Sequence, residues 1–154
     1  MAQFKPVVFQ VGNELYAVDI GIVQGIERKQ NIVRIPNSVP HVRGIMNLRG
    51  DIVPVLSLRV KFNMEDVVSD EVEYVIVRIQ DLLIALETDG VKEIQEIENS
   101  NLYDVPAIIK DESTGYIKNI MNVGNKLIIL LNVKNILTKK EQEAIEQMLK
   151  EAEK

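Results

Sequence analysis

The chain has 154 residues, 46% hydrophobic and 27% charged, which is ordinary globular composition and not that of a disordered segment. That length supports one sizeable core, or two small ones that share a wall. A net charge of −5 without a stripe of Lys and Arg among aromatics argues against nucleic-acid binding, and zero Cys excludes disulfides and thiolate chemistry. No apolar run approaches the roughly 18 residues that span a bilayer. Met1 to Pro6 lacks the cationic and apolar regions of an export signal, so a cytoplasmic protein is expected.

Short β segments dominate. Pro6 to Val11 and Glu14 to Asp19 flank Gly12-Asn13 and predict a hairpin. Ile20, Ile22, Val23 and Ile26 have spacing that suits one or two helical turns, weakened by Gly21 and Gly25. Ile32 to Ile35 reads as a short strand stopped by Pro36, and Pro36 to Pro40 as an irregular connector. Ile45 to Leu48 and Ile52 to Leu58 flank the turn Arg49-Gly50-Asp51, with Pro54 pointing to a strand edge or a bulge. A helical turn over Leu58 to Phe62 leads into an acidic, linker-like stretch from Asn63 to Glu73.

Tyr74 to Ile79, Leu82 to Glu87 and Val91 to Ile97 form the next β group. Glu98 to Asp111 is polar and contains Pro106, so a loop is expected. Tyr116 to Val123 and Lys126 to Asn132 are joined across Gly124-Asn125 as another hairpin. The last segment is helical: Thr138 and Glu141 have capping-box spacing, and Ile145, Met148, Leu149 and Ala152 share one face, which is expected to dock on a barrel wall, the alternative being a detachable partner helix. Many short strands with few helices predict small barrels or a sandwich, in two halves meeting near the acidic loop.

The residues argue against catalysis. His41, the single His, reads as a surface or turn residue beside Pro40. Ser38, Ser57 and Thr88 have no evident base, and Asp51 and Asp104 read as solvated loop acids. Gly44 and Gly50 do not have phosphate-loop spacing. Arg43 and Arg49 carry two readings: turn caps paired with a carboxylate such as Asp51, or interface anchors. Ile20, Val23 and Ile26 are core by spacing, or a surface that receives an apolar helix where curvature exposes them.

The run from Val42 to Leu58 (VRGIMNLRGDIVPVLSL) resembles the signature of the bacterial chemotaxis adaptor family CheW. Tyr16 to Ile20, Arg34-Ile35-Pro36, Asp89-Gly90-Val91 and Gly124 to Asn132 extend the resemblance over nearly the whole chain. It implies a mainly β fold of two SH3-like five-stranded β-barrels around a shared core, with short helices and a C-terminal helix. Residues 1–154 would form one CheW-like domain of two barrel subdomains, divided near 63–73 with interleaving strands allowed. It further implies a non-enzymatic adaptor without cofactors or metals and without membrane insertion. The adaptor would couple the cytoplasmic tips of methyl-accepting chemotaxis receptors to the regulatory domain of the histidine kinase CheA, and be recruited to membrane receptor arrays. Carried over by position, the receptor groove would include Val7, Ile20, Val23, Ile26 and Val91, with Arg49 nearby; the kinase contact is not placed by residue. Ser57 and Gly25 depart from the family, which often has Asp at the first and an acidic or larger residue at the second. The alternatives are an adaptor paralogue in a non-motility signalling system, or a small β-barrel enzyme using loop carboxylates.

Overall fold

The computed structural model describes residues 3–28, 31–36, 39–67, 70–94, 97–98, 101–107 and 115–152. β1 (Gln3–Phe4) precedes the expected hairpin of β2 (Pro6–Val11) and β3 (Glu14–Asp19). Only Ile20–Ile22 is then helical, as one 3-10 turn, and β4 (Val23–Glu27) follows as a strand. The helical expectation for Ile20 to Ile26 is thus corrected. The Asp19 side chain accepts from the Gly21 N–H at 2.9 Å and starts the turn, but Val23 is already extended and pairs with Val77. A register shift between Val23 and Gly25 makes an irregular strand imitate helical spacing.

Val33 makes an isolated bridge to Ile45, less than the strand expected over Ile32 to Ile35. β5 (Val42–Leu48) and β6 (Asp51–Ser57) form the hairpin around Arg49-Gly50. Both turn residues have positive φ, 52° and 92°, as a tight two-residue connection of right-twisted strands requires. The Gly50 N–H donates to Asn47 Oδ1 at 2.9 Å. Pro54 lies in an inner strand, not at a sheet edge; the parallel pairing of β6 begins only at Val55, so the missing N–H costs no bond there. α1 (Leu58–Lys61) is capped by Ser57, whose hydroxyl accepts from the Val60 N–H at 3.3 Å.

β7 (Glu73–Ile79), β8 (Leu82–Thr88) and β9 (Val91–Ile94) follow, then β10 (Ile97–Glu98) and β11 (Leu102–Tyr103), an edge strand inside the expected loop. β12 (Ile117–Val123) and β13 (Lys126–Leu131) form the last hairpin, and α2 (Lys139–Ala152) closes the description. Residues 95–96, 108–114 and Ser38 of the expected segments lie outside the described residues.

The fold is mainly β, with two SH3-like sheets. One has six strands in the order β11-β12-β13-β3-β2-β9, the other five in the order β4-β7-β8-β6-β5. The six-stranded sheet exceeds the expected five because β11 adds an edge. The chain passes between these two sheets at 19–23 and at 88–91, while the acidic stretch near 63–73 joins α1 to β7 of one sheet. Two bonds of 2.9 Å between Val33 and Ile45 fold the chain beyond β4 back onto β5, closing the five-stranded sheet on itself.

Three apolar clusters account for the sequence pattern. Val7, Phe9 and Val11 face a core shared by both sheets, while Val8 faces the interior of the six-stranded one. Val75, Val77 and Ile79 join the shared core, while Tyr74 and Ile76 face the interior of the five-stranded sheet. Strands buried on both faces read as continuous apolar runs, since the alternation divides two cores and not core from solvent. Ile145 and Met148 of α2 are 1% and 5% exposed in the shared core. The Thr138 N–H donates to Glu141 Oε1 at 2.9 Å and the Glu141 N–H donates to Thr138 Oγ1 at 3.1 Å, which completes the capping box.

Candidate functional site

The crossing from β3 to β4 places aliphatic side chains at the surface between the sheets. Ile20 is 39% exposed and Ile26 36%, while Val23 is half-buried against the shared core. The Ile20 N–H donates to the Lys5 carbonyl at 3.0 Å, which anchors the turn to the start of the six-stranded sheet. Val7 pairs with Val18, two residues before Ile20, but it is 1% exposed and faces the shared core. Its expected place at the groove surface is corrected: it offers no area to a partner and can only support the wall.

Val91 opens β9, opposite Phe9 of β2, and its N–H donates to Glu73 Oε1 at 3.0 Å. It borders a cavity of about 440 Å³ with Arg28, Asp70, Glu71, Glu73 and Lys92. This cavity joins the end of β4 to the start of β9, so the two sheets meet there through polar groups. Arg49 stands 82% exposed on the β5–β6 hairpin tip, with Nη2 at 3.3 Å from Glu27 Oε1. Its partner is the last residue of β4 and not Asp51. A pair this exposed contributes less than about 1 kcal/mol. Its structural consequence is to point Arg49 toward the strand that carries Ile26.

Arg43 takes the structural alternative. Its Nε and Nη2 lie 2.9 Å from Glu87 Oε1, Nη2 is 2.5 Å from Asp66 Oδ1, and Ser57 Oγ accepts from Nη2 at 3.2 Å. Burial opposes the charge, but hydrogen bonds to Asp66 and Glu87 outweigh it and raise the guanidinium pKa. Ser57 thus serves both as helix cap and as a neutral partner of Arg43. Gly25, the other departure, has open space where a Cβ would stand.

His41 is in a turn, but it is 5% exposed and not a surface residue. Its Nε2 lies 3.4 Å from Glu141 Oε2 without hydrogen-bond geometry, and desolvation outweighs the attraction of Glu141 to lower its pKa. Burial and the Glu87 charge push the Tyr74 phenol up to about 12. These groups have close structural partners, and among the described residues no group of three or more His, Asp and Glu could hold a metal ion. No described helix is long and apolar enough to cross a membrane.

Sequence reading missed the node around Asp89. Its Oδ2 accepts from the Gly12 N–H at 2.6 Å and lies 2.8 Å from Arg59 Nη2. Glu27 was also missed; its one signal in the sequence was an acid at the end of an apolar run, and only the folded sheet brings it to Arg49.

A family model described as the CheW-like domain matches residues 5–141. The chain belongs to the CheW-like domain family. Among CheW relatives, the chemotaxis protein CheW of Klebsiella aerogenes is 31% identical over 144 residues, covering 93% of this chain and 87% of that protein. The chemotaxis protein CheW of Bacillus subtilis is 26% identical, with 91% and 90% covered. The crystal structure of the scaffolding protein TtCheW from Thermoanaerobacter tengcongensis superposes with a TM-score of 0.83 at 29% identity, covering 91% of this chain and 97% of that one.

Proposed function

We propose that the protein is a non-enzymatic chemotaxis adaptor that couples the cytoplasmic tips of chemoreceptors to the regulatory domain of a CheA-type histidine kinase. Residues 1–154 would act as one CheW-like unit of two barrel subdomains, working in the cytoplasm and recruited to membrane receptor arrays. The observation that carries the reading is the placement of Ile20 and Ile26. They remain 39% and 36% exposed on the 3-10 turn and the β4 strand that lead out of the crossing, while most other described aliphatics are buried, Val33, Val67 and Leu127 being exposed elsewhere. Membership of the CheW-like family supports it.

In this reading Ile20, Val23 and Ile26 form one side of an apolar groove for a helical receptor tip, Val91 lies toward its other side, Val7 supports the wall, and Arg49 orients the contact. Burying aliphatic area supplies affinity at about 25 cal/mol per Å², and weak contacts suffice in an array because neighbours raise the effective concentration. The adaptor's chemistry is differential binding: it favours the kinase state that fits the bound receptor state.

Val23 packs on the shared core, so a charge there would disturb the fold; Ile26 gives the cleaner test. Ile26→Asp should place an unpaired carboxylate in the groove and weaken co-sedimentation with a receptor signalling fragment about tenfold or more, at unchanged melting temperature. Arg49→Ala should lower receptor binding or kinase activation with the fold intact. Full retention of binding by the folded Ile26→Asp chain would remove this face from the contact.

A further inference from the structure

The second passage between the sheets is built differently from the first. At 88–91 the backbone is stitched to β2: the Asp89 N–H donates to the Gln10 carbonyl at 2.8 Å and the Gln10 N–H donates to the Gly90 carbonyl at 2.9 Å. The Asp89 side chain, 10% exposed, then reaches two further elements. Oδ2 accepts from the Gly12 N–H at 2.6 Å, in the β2–β3 turn of the six-stranded sheet. Arg59 of α1, which directly follows β6 of the five-stranded sheet, approaches with Nε at 3.1 and 3.0 Å from the two carboxylate oxygens. Arg59 Nη1 also donates to the Glu65 carbonyl at 3.1 Å, and Met64 packs on Gly12, so the start of the acidic stretch is held at the same node.

The shared core resists separation of the sheets, but apolar contacts are non-directional and leave shear between them weakly opposed. A carboxylate held between a guanidinium and a backbone N–H is directional and short. We infer that the Asp89–Arg59–Gly12 node fixes the relative orientation of the two sheets, and that Asp89 is a positioning residue for signal coupling, acting through that orientation and not by contact with a partner. The coupling part rests on the adaptor reading; the mechanical part does not. A receptor contact between the sheets has Ile20 to Ile26 at the first passage and Val91 just past the second. Their separation transmits a receptor change only if the two sheets move as one body.

Asp89→Asn tests this. The amide keeps the size and one acceptor oxygen, but its NH2 replaces the other and meets a donor where the carboxylate accepted. The absence of cysteine allows spin labels at Asp81→Cys in the β7–β8 turn of the five-stranded sheet and Lys126→Cys at the start of β13 in the six-stranded one, both exposed in the parent. In the full chain, the label-to-label distance distribution should broaden on adding Asp89→Asn. Binding to a receptor fragment and to the kinase regulatory domain, each measured alone, should stay within about threefold. Receptor-dependent change in kinase activity should fall about fivefold or more, the lower range of allosteric coupling. A folded Asp89→Asn chain with an unchanged distance distribution overturns the node, and a broadened one with unchanged kinase control overturns its role in coupling. Should that variant fail to fold, Arg59→Lys, which keeps the charge and loses the fork, is read by the same criteria. If the parent chain binds neither partner, the adaptor reading and the coupling role fall together, while the distances still decide the mechanical part.

Discussion

Replacing Arg43 by Met tests whether the buried network, and not the neighbouring apolar packing, holds β5 against β8. Arg43 and Glu87 are 12% and 8% exposed, and both contacts from the guanidinium fall on Glu87 Oε1 at 2.9 Å. Removing the cation leaves Glu87 with the Tyr74 hydroxyl, at a long 3.5 Å. The bond to Asp66 adds little, since that side chain is 46% exposed. Breaking a buried pair on one side costs about 3–5 kcal/mol, because an uncompensated charge stays behind. Asp66 is half exposed, and Ser57 is neutral and keeps its bond from the Val60 N–H, so the lower end, about 3 kcal/mol, is expected. For a domain of this size 1 kcal/mol moves Tm by about 2–4 °C, which gives a fall of about 6–12 °C. The double variant Arg43→Met, Glu87→Leu removes both charges and should recover most of that loss. Thermal unfolding followed by circular dichroism, with urea titrations for the free energy, reads both. A single-variant fall below about 2 °C, or a double variant no better than the single, would refute the reasoning and leave the network a surface decoration.

Gly44→Ala should lose about 2–3 kcal/mol, since the added Cβ would meet the Val33 carbonyl oxygen at a distance no Cβ tolerates and force apart the bridge that closes the five-stranded sheet; urea unfolding checks it, and Gly50→Ala is the contrast, opposed by its φ of 92° but by no neighbour. The lowered His41 pKa gives stability that is complete above the unfolded value near 6.5 and is lost as pH falls through the folded value below it. Glu141, also lowered, adds a loss of the same sign below its unfolded value near 4.5. The unfolding free energy should therefore drop between pH 7.5 and 5.5, and His41→Asn should flatten that interval while leaving the acid limb below it; an equal drop in both chains would show that His41 does not titrate on unfolding.

The hairpins were legible because their turns carry the signal locally. Gly12-Asn13 and Gly124-Asn125 admit positive φ between apolar runs, and both strands of each pair follow from two residues. The C-terminal helix was legible from Thr138 and Glu141 for the same reason. What failed was non-local. Val23 to Glu27 became a strand because β7, some fifty residues on, offered a ladder, and tertiary pairing overrode a weak helical spacing. His41 is buried where Glu141 of α2 approaches it, with Lys61 of α1 on the same carboxylate, and nothing in Pro40-His41-Val42 announces those neighbours. The resemblance placed Val7 at a groove by position, but position along a strand does not say which face is buried when both faces meet a core. Arg43 lies near the start of β5 and Arg49 at the tip of the same hairpin. Only the carboxylates brought near by β8 and β4 separate a structural arginine from an exposed one.

The shared wall also explains why the candidate surface lies at a passage between sheets. Strands such as β2 and β7 spend one face on the shared core and the other on a barrel interior, so they have no side left to offer a partner. Recognition by aliphatic burial must then come from an edge or from a segment that leaves one sheet for the other. β4 is both: an edge in strand order, entered directly from the 3-10 turn that departs the six-stranded sheet. Its residues alternate between half-buried and exposed, where the neighbouring β7 buries five of its seven. A partner seated there touches the element whose position depends on both sheets at once. That dependence makes the surface responsive to inter-sheet geometry, which a contact on a sheet's outer turn such as Gly124-Asn125 would not be.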